Sequence, residues 1–105
     1  MGRIVIVAYK PKEGMAEELK ALMKTNMPRL RAEGFVTDRE SIIAEAADGT
    51  IVEVFEWLSD EAIRQAHENA NVRQMWSEYF AVCDCIPYGN LAEASLMFPG
   101  FRPLN

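Results

Sequence analysis

Asp48-Gly49 stands between two long apolar runs, one ending at Ala47 and the other running from Thr50 to Trp57. An Asp-Gly pair supplies the left-handed positions of a tight two-residue turn, so the two runs predict an antiparallel β-hairpin. Pairing Ala47 with Thr50 puts Ile42, Ala44, Ala46, Ile51, Glu53, Phe55 and Trp57 on one face. The other face then carries Ile43, Glu45, Ala47, Val52, Val54 and Glu56. Neither face is polar enough to meet water, so a sheet built around this hairpin needs cover on both sides.

The flanking sequence supplies the rest of the sheet and its helices. Residues 4–9 are a continuous, mostly β-branched run, as expected of a buried strand. Met15, Leu19, Leu22, Met23, Met27 and Leu30 then recur at helical spacing, with Glu17, Glu18, Lys20 and Lys24 between them. Pro28 is expected to kink or break this helix and Gly34 to close it. Ser59 can cap a second helix that carries Asp60 and Glu61 in its first turn. Ile63, Ala66, His67 and Ala70 share one face of it. The phase slips at Asn69-Ala70-Asn71, and Val72, Met75, Trp76, Tyr79, Phe80 and Cys83 begin a new stripe, so two helical pieces are predicted. Residues 85–90 read as a loop, 91–98 as a last strand and 99–105 as a tail.

Strand, helix, strand, strand, helix, strand is the order of a ferredoxin-like βαββαβ α+β fold with a four-stranded antiparallel sheet, here one domain over residues 1–105. Two helices cover one face of such a sheet. The simplest cover for the other is a second copy of the chain, so burial alone predicts a homodimer. Eleven Lys and Arg against sixteen Asp and Glu give a net charge of −5, which leaves a nucleic-acid partner without electrostatic support. Two cysteines and one histidine cannot build a structural zinc site or a disulfide framework. The first apolar run is too short for a signal-peptide core or a membrane span, and the expectation is a cytoplasmic protein without a membrane role.

In this order, residues 4–11, 15–34, 51–57 and 58–62, followed by Ala66-His67 and residues 72–80, resemble the antibiotic biosynthesis monooxygenase family of dimeric α+β barrels. The resemblance spans most of the chain and rests on a strand ending in Glu-Trp, a helix start, and a histidine about three turns later. It implies two four-stranded sheets forming a barrel, with a cleft in each subunit between sheet and helices. It further implies a small oxygenase that needs no cofactor and acts on quinols or polyketide-derived aromatics. Haem-degrading relatives of the fold use an asparagine in the first strand and a histidine late in the second helix. This first strand has no asparagine and His67 falls early, so haem degradation is not expected.

His67, the only histidine, is the simplest base for chemistry near neutral pH; the alternative is a half-buried histidine bonded to a backbone carbonyl. Trp57, Trp76, Tyr79 and Phe80 can wall a flat aromatic ligand, although the last three also read as a core or dimer stripe. Glu53, if buried between Ile51 and Phe55, would have a raised pKa and could act as a base or pair with an arginine of the partner chain. Asn71, with Asn69, could bind a ligand oxygen or simply end one helix and cap the next. No metal ligands and no cofactor anchor are evident: Cys83-Asp84-Cys85 is not a redox motif, and there is no phosphate loop or dinucleotide fingerprint. The expected function is cofactor-independent monooxygenation of a small aromatic, quinol or polyketide-like molecule, with a non-catalytic ligand-binding or stress-response barrel and a cofactor-free isomerase as alternatives.

Overall fold

The computed structural model describes residues 2–105. Strand β1 (Arg3–Pro11) leads into helices α1 (Ala16–Met23) and α2 (Asn26–Ala32). Strands β2 (Ile42–Glu45) and β3 (Ile51–Trp57) follow, then helices α3 (Asp60–Glu68) and α4 (Ala70–Val82), and strands β4 (Cys83–Ile86) and β5 (Arg102–Pro103). Every strand pair is antiparallel and the sheet order is β4-β1-β3-β2-β5. The chain is an α+β protein with a five-stranded antiparallel sheet.

The helices pack on one sheet face. Leu19, Leu30, Ile51 and Met75 are fully buried between the layers, each contributing on the order of 1.5–3 kcal/mol of burial. The long first stripe forms two helices rather than one. Thr25 Oγ1 donates to the Leu22 carbonyl at 2.7 Å where α1 ends, and α2 restarts at Asn26. Pro28 lies in the first turn of α2, where its missing N–H removes no helical bond. The predicted slip at the asparagines is a true break: Asn69 is extended, and its Oδ1 accepts from Val72 N at 3.0 Å to cap α4.

The hairpin register differs from the expected one by a residue. Ala44 pairs with Val52 and Glu45 with Ile51, and Ala46 N donates to Thr50 O at 2.8 Å. Ala47, Asp48 and Gly49 form the turn, with Gly49 at φ +91° and Asp48 Oδ1 accepting from Thr50 N at 2.8 Å. The left-handed glycine accommodates the extra residue. A one-residue slip moves a whole strand to the other face, so Ile43 and Glu45, not Ile42, Ala44 and Ala46, join Ile51, Glu53, Phe55 and Trp57 under the helices.

The last strand also differs. α4 runs straight into β4, which pairs with the end of β1 through Tyr9–Cys85 and Pro11–Cys83. Residues 91–98 are not a strand. Pro87 and Gly89 stop β4, and the chain continues in two short 3-10 turns, Tyr88–Asn90 and Ala92–Ser95. These lay Leu91 on the outer sheet face against Ala8, Ala46 and Val52. The tail is fastened too: Leu104 N donates to Ile43 O at 2.8 Å, and Asn105 Oδ1 accepts from Ile43 N at 2.9 Å. The open edge of β2 provides those partners. Even so, Ile4, Ile6 and Ile42 on the outer face remain 56%, 51% and 62% exposed. Among the described residues no helix is long and apolar enough to cross a membrane.

Candidate functional site

A cavity of about 320 Å³ lies between the helix-side face of the sheet and the helices, a size that holds a small organic molecule. Its base is the inward row of β1, Val5, Val7 and Tyr9, with Phe55 and Trp57 of β3 beside it. Alternate residues of a strand share a face, so the row from Val5 to Tyr9 runs roughly 13 Å. Asn26 and Leu30 of α2, Ile63 and His67 of α3, and Trp76, Tyr79 and Phe80 of α4 form the walls, and Cys85 of β4 closes one side.

His67 reaches the cavity from the last turn of α3. Its Nδ1 lies 2.8 Å from the Ile63 carbonyl oxygen, which can only accept, so Nδ1 carries the proton. Nε2 is thereby left with the lone pair of the neutral ring. His67 is exposed rather than half-buried, and its bond to the backbone carbonyl engages only one of the two ring nitrogens. The indole of Trp76 meets this ring edge-on, with centroids 4.9 Å apart. Trp57 is buried and stacks at a tilt on Phe55 at 5.4 Å. Tyr79 is buried as well; its hydroxyl donates to the Leu22 carbonyl at 2.7 Å and its ring packs on Tyr9 at 5.5 Å. Phe80 is exposed at the rim.

Glu53 sits behind the cavity rather than on its wall. It is wholly buried, its Oε1 accepts from Asn26 Nδ2 at 2.7 Å and more weakly from the Tyr9 hydroxyl at 3.4 Å, and its Oε2 has no hydrogen-bond partner. Burial raises its pKa to about 7 against the opposing pull of Asn26, Ser41 and Tyr9. Burial, then the Glu53 charge, hold the Tyr9 hydroxyl well above its ordinary range, so it remains a neutral donor.

Five of the residues singled out in the sequence, Trp57, His67, Trp76, Tyr79 and Phe80, come together on the cavity, and Glu53 adjoins it through Asn26 and Tyr9. Asn71 does not reach it. Its Nδ2 donates to Glu33 Oε2 at 3.0 Å while Asn69 Nδ2 donates to Oε1 at 2.9 Å, tying the end of α2 to the α3–α4 junction. These hydrogen bonds keep the Glu33 carboxyl below its ordinary pKa. Asn26 and Tyr9 carry no site expectation from the sequence, and Cys85, expected on a loop, lies in β4 on the cavity. Asn26 had a signal: it falls on the apolar stripe of Met23, Met27 and Leu30, where a polar residue needs a buried partner. Among the described residues no group of three His, Cys, Asp or Glu side chains could hold a metal ion.

No protein-family model matches the chain, and none of the curated proteins compared with it matches.

Proposed function

We propose that this chain is a cofactor-independent monooxygenase that takes a small, flat, hydroxylated aromatic such as a quinol, with His67 as general base. The observation that carries the reading is the aromatic-walled cavity that opens onto a histidine whose Nδ1–H is tied to a backbone carbonyl. The sheet order β4-β1-β3-β2, with the helices on one face, supports a ferredoxin-like half-barrel in which β5 is an added edge pair. The exposed Ile4, Ile6 and Ile42 support a homodimer closed over the outer face.

In this reaction His67 Nε2 removes a hydroxyl proton, and the electron-rich anion passes one electron to O₂. The resulting radical and superoxide combine at a ring carbon, and the proton held on His67 Nε2 passes to the peroxide anion to give a hydroperoxide. Loss of water from it leaves one O₂ oxygen on the ring and sends the other to water, with all four electrons drawn from the substrate. A quinol thus becomes a hydroxyquinone. Trp57, Trp76 and Tyr79 hold the ring plane, and the apolar walls favour the charge-dispersed anion over a solvated one.

Oxygen uptake on a panel of quinols and polyphenols, with ¹⁸O₂ to follow incorporation, tests this. Uptake above autoxidation that disappears in His67→Ala is the expected result. Uptake retained in that variant discards His67 as the base. Solvent-proton exchange into a bound substrate without uptake would instead establish the isomerase reading, and binding alone the non-catalytic one.

A further inference from the structure

Asn26 separates the cavity from the buried Glu53 carboxyl. It is 3% exposed, lines the cavity and donates from Nδ2 to Glu53 Oε1. Among the described residues no donor occupies its Oδ1. A carboxamide is two-sided: a half-turn exchanges its N–H and C=O ends without changing its shape. An ionised Glu53 only accepts, so it holds the N–H side of Asn26 and leaves Oδ1 for the cavity. A protonated Glu53 has a hydrogen to give; Asn26 Oδ1 can take it, and the N–H side then faces the cavity. Buried polar groups left unmatched are costly, so a ligand oxygen of the wrong sense is penalised in either state.

We infer that Asn26 reads the oxygen substituent of a ligand in this cavity, and that Glu53 is the positioning residue that sets whether Asn26 accepts or donates. The ligand class is a flat aromatic bearing a hydroxyl when Glu53 is ionised, and one bearing a carbonyl or ether oxygen when it is protonated. This rests on the cavity being a small-molecule site; within the proposed reaction, one residue then distinguishes a hydroxylated substrate from a carbonyl product.

The groups facing Glu53 are few. From β1 comes the Tyr9 hydroxyl, from α2 Asn26, from α4 Tyr79, and from the segment before β2 Ser41. Its strand neighbours Val7 and Ile43 carry nothing that titrates. His67 and Cys85 line the cavity itself, and the neighbouring Cys83 draws the Cys85 thiol below its ordinary range. Any pH effect must therefore be assigned by substitution.

The test is the binding of 1-naphthol and 1-methoxynaphthalene, followed by quenching of Trp57 and Trp76 between pH 5.5 and 8.5. The wild-type protein is expected to prefer the naphthol at pH 8.5 and to lose or reverse that preference at pH 5.5, a change in the affinity ratio of roughly three- to tenfold. Glu53→Gln should make the ratio independent of pH while His67 and Cys85 are still present. Asn26→Leu should bring the ratio near one at every pH. A wild-type ratio that does not move with pH overturns the inference without needing any variant. A pH dependence that survives in Glu53→Gln overturns it too and transfers the effect to His67 or Cys85. If neither compound binds, the small-molecule reading of the cavity falls, and this inference with it.

Discussion

The rings of His67 and Trp76 meet edge to face across the break between α3 and α4. In one continuous helix, residues nine apart would lie about 13.5 Å apart along the axis and on opposite faces. The extended Asn69 redirects the chain so that the last turn of α3 and the second turn of α4 look into the same cavity. The break is what creates the site.

Asn69→Ala should therefore affect both stability and binding. It removes the α4 cap and one of the two bonds to Glu33, a loss of about 1–2 kcal/mol in urea unfolding. With the junction loosened, affinity for a naphthol probe should fall. Asn71→Ala removes only an exposed bond to Glu33 and should cost a few tenths of a kcal/mol, leaving probe affinity unchanged. Equal loss of affinity in the two variants would mean that Asn71 reaches the ligand after all.

Trp76 forms a wall of the cavity and the contact that steadies His67. Trp76→Ala should weaken binding of a flat aromatic by roughly tenfold, while Trp76→Phe, which keeps a ring beside the imidazole, should retain most of the affinity. Titration calorimetry separates the two. Indistinguishable affinities for the alanine and phenylalanine variants would show that ring stacking contributes nothing there.

Much of the fold was legible because it rests on periodicity. The stripes of α1, α2 and α4, the slip at Asn69 and the strand of residues 4–9 all follow from where apolar side chains must point. The hairpin register was not legible, since a two-residue and a three-residue turn both satisfy Asp48-Gly49, and a single residue of slip exchanges the faces of β2. β4 was hidden because Cys83-Asp84-Cys85-Ile86 carries a weak alternation, continues a helical stripe and is short. In the site, His67 and the aromatic residues announced themselves by type. Asn26 shows only as a polar residue on an apolar stripe, and its role stays hidden because the partner, Glu53, is 27 positions away and only the packing of α2 on β3 brings it close.

Glu53 also predicts a pH dependence of stability. Its pKa is raised from 4.5 to about 7 on folding, so between those values the folded state binds more protons than the unfolded one. Its contribution to stability is therefore present below about pH 4.5 and declines as pH rises through 7, by about 3 kcal/mol in all. The carboxyls of Glu45, Glu56, Glu61 and Glu78 shift the other way, each held down first by a hydrogen bond from an arginine, and weaken the fold in acid. The difference between wild type and Glu53→Gln removes their effect. Glu53→Gln should gain stability relative to wild type from pH 4.5 to pH 8, measured by urea midpoints at each pH. A constant difference would mean that Glu53 titrates normally.

The outer sheet face yields the last prediction. Ile6 pairs with Val54 and Val54 with Ile42, so three branched side chains form one row across β1, β3 and β2. Ile6 and Ile42 are more than half exposed, and Leu91, Tyr88 and Phe101 cover only the other end of that face. Leu96, Met97 and Phe98 add a second exposed apolar stretch, with Met97 and Phe98 86% and 89% exposed. A two-fold axis through such a face sets each row against its copy, and burial at about 25 cal/mol per Å² favours the pair. Light scattering at micromolar concentration should give twice the 11.9 kDa chain mass. Ile6→Glu with Ile42→Glu would place like charges across the axis and should give a monomer that keeps the helix-side core and its far-ultraviolet spectrum. A wild-type chain that stays monomeric at high micromolar concentration would show that this face meets water unaided.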